Sequence, residues 1–204
     1  MKQKAGIIIF IISVMWVLHT FSKNFMVDPQ FEKFISRKDL TLTDHNLWIS
    51  MIRIHIILAI ISLITGPLGI IKAIRDKSRN FHRWNGRLYV FSIILNFIPG
   101  VYISFFATGG LPSIIGFLIL NTLWLITTIL GFLYIKRQNV MLHSQWITRS
   151  FFLAFANITI YVIVAISHNL LNFSYGNSYT IAVWLSWSLN LLVSEFIIRK
   201  KIFY

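Results

Sequence analysis

Six long apolar segments constrain this chain more than any other feature. They run over roughly 5–22, 47–71, 88–107, 112–135, 147–167 and 179–198. Each is close to the ~20 residues that a helix needs to cross a hydrocarbon layer of ~30 Å. Backbone polar groups inside a bilayer must be satisfied within the segment, so apolar runs of this length spell helices. The expected fold is all-α: a polytopic integral membrane bundle of six transmembrane helices in a single domain, 1–204.

The basic residues orient it. Lys2 and Lys4 precede the first span. Lys72, Arg75, Lys77, Arg79, Arg83 and Arg87 fill the second connection, Lys136, Arg137 and Arg149 flank the fourth, and Arg199, Lys200 and Lys201 follow the last span. These fourteen lie on one side. The other side holds five: Lys23, Lys33, Arg37, Lys38 and the span-edge Arg53. Positive charge stays in the cytoplasm, so both termini are expected inside a plasma membrane. An uncleaved first span is expected too, because Val17-Leu18-His19-Thr20-Phe21 offers no small-x-small cleavage site.

Composition removes several function classes. The net charge of +13 does not indicate nucleic acid, because the cations sit where topology requires them. The lipid bilayer and its anionic headgroups are the expected counter-charge. The absence of cysteine excludes disulfides, thiolate metal sites, iron–sulfur clusters and Cys nucleophiles. Only six residues are acidic, and none is expected near the midplane, which argues against a proton-coupled pump. There is no Gly-rich phosphate loop, no HExxH and no Ser/His/Asp set, so the sequence assigns no enzyme class.

Residues 23–46 form the one sizeable loop, expected outside. Asp28-Pro29 is a helix start, and Phe31, Phe34 and Ile35 fall at i, i+3, i+4. That pattern suits a short helix lying on the outer leaflet; the plainer alternative is a loop with buried aromatics. Thr43 or Asp44 is expected to cap the second span. Glu195 and Arg199, at i, i+4, suggest a local ion pair.

His is the only strong transition-metal or haem-iron ligand available. His19, His45, His55 and His168 are expected at or near the outer face, and His82 and His143 at the inner face. Facing imidazoles can hold haem iron. An inner pair His82/His143 and an outer pair His55/His168 would therefore form a two-haem wire. Below His55, the small residues Ala59, Ser62, Gly66 and Gly69 share its helix face and would admit a flat cofactor or another helix. Against this, His143 and His168 are 25 residues apart, about 37 Å along one helix. Arg83, Arg87 and Arg149, with Trp84 and Trp146, make an inner cluster suited to phosphate or carboxylate. Arg53 is either an intramembrane functional charge or a snorkelling side chain.

The string His82-Arg83-Trp84-Asn85-Gly86-Arg87-Leu88-Tyr89 is shared with a bacterial family of predicted membrane proteins. So are His55 with Gly66-Pro67, the Trp124 span, and His143 through Trp146 to Arg149. Over about residues 50–165 the chain resembles this family, catalogued as domain of unknown function 2306. The resemblance implies a multipass helical membrane protein and groups His55, His82, Arg83, Arg87, His143 and Arg149 as one set. There is a looser likeness to the cytochrome b561 type, although that family's intrahelical His spacing is absent. Two functional expectations stand together. One is a membrane protein binding a cofactor or anionic ligand through its His/Arg set, in its sharpest form a b-type haem protein exchanging electrons with a quinone. The other is a non-redox subunit for lipid handling, transport or assembly with a partner protein.

Overall fold

The computed structural model describes residues 2–36 and 44–202. Nine α-helices run through them: α1 (Lys2–Phe21), α2 (Glu32–Ile35), α3 (His45–Ile70), α4 (Lys72–Lys77), α5 (Arg79–Ser104), α6 (Gly110–Lys136), α7 (Val140–Ala154), α8 (Ala156–Val164) and α9 (Tyr175–Arg199). Wider π-helical turns at Ser22–Val27 and Ala165–Leu170 extend α1 and α8. With α7 and α8 read as one path, six helical segments are long and apolar enough to cross a membrane.

Side-chain caps set where the spans begin. Asp44 Oδ1 accepts from the Leu47 amide at 3.0 Å, Ser78 Oγ from Phe81 at 3.2 Å and Asn139 Oδ1 from Leu142 at 3.0 Å. Each satisfies a donor that the first helical turn leaves free. Thr43, the other cap candidate for α3, lies outside the described residues. Gly109, in the left-handed region at φ +91°, turns the chain into α6.

Neighbouring helices in the chain are also neighbours in space. The helix α3 lies among α1, α5 and α7, while α6 lies against α5, α7 and α9, and α8 runs along α9. The main core joins Tyr89 and Ile93 of α5, Leu120 and Trp124 of α6, Phe151, Phe152 and Leu153 of α7, and Ile197 of α9. Small polar residues fill the tightest contacts: Ser13, Ser62, Thr128, Ser150, Ser186 and Ser194 are all fully buried. Outward positions such as Ile8, Met15, Phe91, Ile98 and Leu192 are exposed. This distribution suits a bundle solvated by lipid, in which close approach at small residues holds helices together.

Two local expectations are corrected. The expected short helix forms at Glu32–Ile35, but its aromatic side turns onto α3. Phe31 is 1% exposed and packs edge-on against Trp48, while Phe34 stacks on the same indole. Asp28 holds the turn, its carboxylate accepting from the Glu32 and Lys33 amides. Burying Phe31 and half-burying Phe34 on α3 removes more apolar surface from water than a shallow interfacial position would. Glu195 bonds Arg149 on α7, not Arg199 one turn away. The contact is bidentate, with Arg149 Nε to Oε1 at 2.5 Å and Nη2 to Oε2 at 3.2 Å. A guanidinium fork matches both carboxylate oxygens and, half-buried, is less exposed to water than an open i, i+4 pair.

Candidate functional site

Every candidate side chain can be followed from the helix that carries it. His82 and His143 each sit three residues into a helix, α5 and α7, at the same end of the bundle. The capped starts at Ser78 and Asn139 bring them together as electrostatic neighbours, with Arg75 nearby. His143 Nδ1 lies 2.8 Å from the Gly131 carbonyl oxygen of α6. A carbonyl can only accept, so Nδ1 carries the proton and Nε2 keeps its lone pair. His82 is half-buried, and its Nδ1 is buried without a hydrogen-bond partner.

The outer candidates do not meet in the same way. His168 Nδ1 bonds the Phe173 carbonyl at 2.8 Å, and its ring stands edge-on to Tyr175. It belongs to the turn between α8 and α9. His55 faces α5 and α6 instead, with Asn96 as its side-chain neighbour and its Nδ1 close to Gly100. It lies ten residues into α3, about 15 Å from the helix start.

Below His55 runs a continuous polar seam. On α5, Tyr89, Ser92, Asn96 and Gly100 follow at spacings of three and four, and all are buried. On α6, Asn121, Trp124, Thr128 and Gly131 do the same. Asn121 Nδ2 donates to Ser104 Oγ at 3.0 Å. Further in, Ser150 Oγ of α7 joins the Tyr89 hydroxyl at 2.7 Å and the Thr128 hydroxyl at 2.6 Å. Asn85 Nδ2 donates to the Thr65 carbonyl at 2.7 Å, fixing α5 on α3. Of these residues, Asn85, Tyr89 and Trp124 stood out in the sequence; Tyr89–Ser150–Thr128 as a triad depends on three helices meeting and has no local signature.

The arginines are largely engaged. Arg149 is held by Glu195 and lies 4.5 Å over the Trp146 ring. Arg87 lies 4.9 Å over Trp84. Arg53 Nη2 donates to the Pro29 carbonyl at 2.8 Å, which turns it toward the outer loop. Arg83 and Arg87 are both exposed beside a Trp84 that is itself exposed. Among the described residues no three His, Asp or Glu side chains converge as a metal-ion site.

The match to known families follows this geometry. A family model described as a predicted membrane protein, DUF2306, covers residues 52–198. The chain belongs to that family. The matched region takes in α3 from Ile52 through nearly all of α9, so it includes both ends of the His55-to-His143 seam and the Arg149–Glu195 pair. It also reaches further than the sequence resemblance did, which left the last span outside. The family carries no assigned activity in its description. No curated protein and no solved structure matches the chain.

Proposed function

We propose that this multipass membrane protein binds a cofactor between α5 and α7 through the inner imidazoles His82 and His143, and that the cofactor is a b-type haem. One observation carries the reading: two half-buried imidazoles from different spans are neighbours, and the Gly131 carbonyl holds His143 in the tautomer that leaves Nε2 free. A backbone acceptor behind the ring is how a protein fixes a ligating imidazole. Bound there, haem would supply one-electron chemistry, and the chain would exchange electrons with a quinone in the bilayer. His55 and His168 point to different neighbours, so this reading uses one haem rather than a two-haem wire.

The asymmetry of Lys and Arg supports a cytoplasmic location for both termini and for the His82/His143 end, in a plasma membrane. A second reading has its own observation. Arg83 and Arg87 are exposed around an indole that is 68% exposed, which suits contact with anionic headgroups and a lipid-handling or assembly role.

The test is the visible spectrum of detergent-purified protein expressed with haem supplied, air-oxidised and then dithionite-reduced. The haem reading expects a reducible band near one haem per chain that is lost in His82→Ala and in His143→Ala. A colourless folded protein overturns it and leaves the headgroup reading, which expects anionic-lipid binding that weakens with salt and in Arg83→Ala.

A further inference from the structure

A cluster of four side chains bridges α1 to α8 at the end of the bundle opposite His82 and His143. Tyr161 of α8 stands edge-on to Trp16 and to His19 of α1, with ring centroids 5.3 and 6.1 Å apart. Trp16 and His19, one turn apart, lie 4.9 Å from each other. Lys23 Nζ donates to the Tyr161 hydroxyl at 2.5 Å and lies 4.6 Å from the centre of its ring. His19 and Tyr161 are exposed, and Trp16 and Lys23 are half-buried, so the cluster is an open surface that needs no cavity. Both helices widen beside it. The π-helical turn Ser22–Val27 carries Lys23, and the turn Ala165–Leu170 begins four residues after Tyr161. Such turns gather at functional sites.

Charge decides what the surface takes. Among the described residues the ion pairs are Arg75–Asp76 and Arg149–Glu195, so no carboxylate there answers Lys23. Asp28 and Asp44 are turned to backbone amides. The Tyr161 hydroxyl is neutral and takes one of the three ammonium donors. Snorkelling does not describe this lysine. A snorkelling side chain extends away from the bilayer centre. Lys23 is four residues short of the end of its span at Val27, yet it turns to Tyr161, nine residues short of the end of its own at Leu170. A cation drawn back from water without a counter-charge is costly, so the occupant is anionic. It is also an amphiphile. Trp16 continues the cluster seven residues toward the bilayer centre, about 10 Å, and the exposed Ile12 follows one turn below. Only an apolar chain suits that depth.

We propose that His19, Lys23 and Tyr161, with Trp16 beneath them, seat one anionic phospholipid of the leaflet opposite the His82/His143 end. Its phosphate accepts from the Lys23 ammonium and from a ring N–H of His19. The Trp16 and Tyr161 rings lie along the glycerol and the first methylenes, the level at which such side chains gather in membrane proteins. The site uses neither the haem ligands nor Arg83 and Arg87, so it stands apart from both readings above.

The experiment titrates the full chain in detergent with phosphatidylglycerol and counts retained lipid by native mass spectrometry, with phosphatidylcholine as the zwitterionic control. It is run in the Arg83→Ala/Arg87→Ala background, which removes the inner headgroup surface. Retention of one phosphatidylglycerol in preference to phosphatidylcholine is expected. Affinity should fall about fivefold in Lys23→Gln, the worth of one cation beside an anionic headgroup, stay near the parent value in Lys23→Arg, and be unchanged in Lys33→Gln, which removes a cation outside the cluster. If Lys23→Gln fails to fold, Lys23→Met serves, with the same loss expected. Soluble glycerol phosphate should not displace the lipid; displacement would make this a free-phosphate site and overturn the proposal. Equal retention of both lipids, or equal losses in Lys23→Gln and Lys33→Gln, also overturns it. Phosphatidylglycerol held by the parent chain but lost in the Arg83→Ala/Arg87→Ala background keeps the inner headgroup reading and removes this site.

Discussion

Arg149 of α7 grips Glu195 of α9 with two hydrogen bonds, joining positions 46 residues apart. It ties the helix that carries His143 to the last span. The Glu195 side chain is 39% exposed, so solvent screens much of the attraction. Loss of the pair in Glu195→Gln is expected to cost about 1 kcal/mol. In detergent this should appear as a modest fall in thermal midpoint. The exchanged double variant Arg149→Glu/Glu195→Arg should recover part of it, whereas the i, i+4 alternative would make Arg199→Ala the damaging change.

Gly66 and Gly86 provide a contrast within one fold. A Cβ at Gly66 would run into the Phe151 ring, which is fully buried and has nowhere to go. Overpacking of this kind costs about 1–3 kcal/mol. Nothing lies within 4 Å of a Cβ at Gly86, so there alanine should stabilise by up to about 0.8–1 kcal/mol through helix propensity. Thermal denaturation of Gly66→Ala and Gly86→Ala should therefore shift in opposite directions.

The hydroxyl triad is expected to show the cost of unpaired groups. Ser150→Ala removes the shared partner of Tyr89 and Thr128; Thr128 keeps its bond to the Trp124 carbonyl at 2.7 Å, while the buried Tyr89 hydroxyl loses its bond to Ser150. Tyr89→Phe removes one hydroxyl and leaves Ser150 and Thr128 bonded to each other. Stranding buried polar groups costs about 1–3 kcal/mol, so Ser150→Ala should be the more destabilising of the two in a denaturation series. Equal effects would mean that the triad does not act as a unit.

Because the chain has no cysteine, any cysteine introduced into it is a unique label. Ser36 and Asp76 are both exposed, at opposite ends of the bundle. The proposed orientation, with both termini inside, predicts that Ser36→Cys in intact cells reacts with a membrane-impermeant maleimide. Asp76→Cys should react only after permeabilisation. The reversed pattern would invert the topology and place the His82/His143 pair outside.

Much of the fold was legible because span length, hydropathy and caps are local properties. Thr43-Asp44 announces the start of α3, where Asp44 is the residue that caps it, and His82 and His143 reveal a common depth because each follows a helix start closely. What was not legible depends on which helices meet. Glu195 had an obvious partner at i+4, and only the approach of α7 to α9 offers it a better one. The aromatic pattern at 31–35 fits a leaflet surface or a buried position alike, and the Trp48 indole that Phe31 and Phe34 pack against decides between them. His55 and His168 share the outer half in sequence order, yet one faces α5 and α6 while the other folds onto its own turn. The division of the fifth span at Phe155 lacks the proline or glycine that would have marked it.

The most direct test of the central claim is the low-temperature electron paramagnetic resonance spectrum of the haem-loaded, air-oxidised protein. Two imidazoles on one iron predict a low-spin ferric signal. It should give way to a high-spin signal, or disappear with the haem, in His82→Ala and in His143→Ala, and stay unchanged in His168→Ala. Failure to retain haem, or one and the same spectrum in all three variants, would contradict the account.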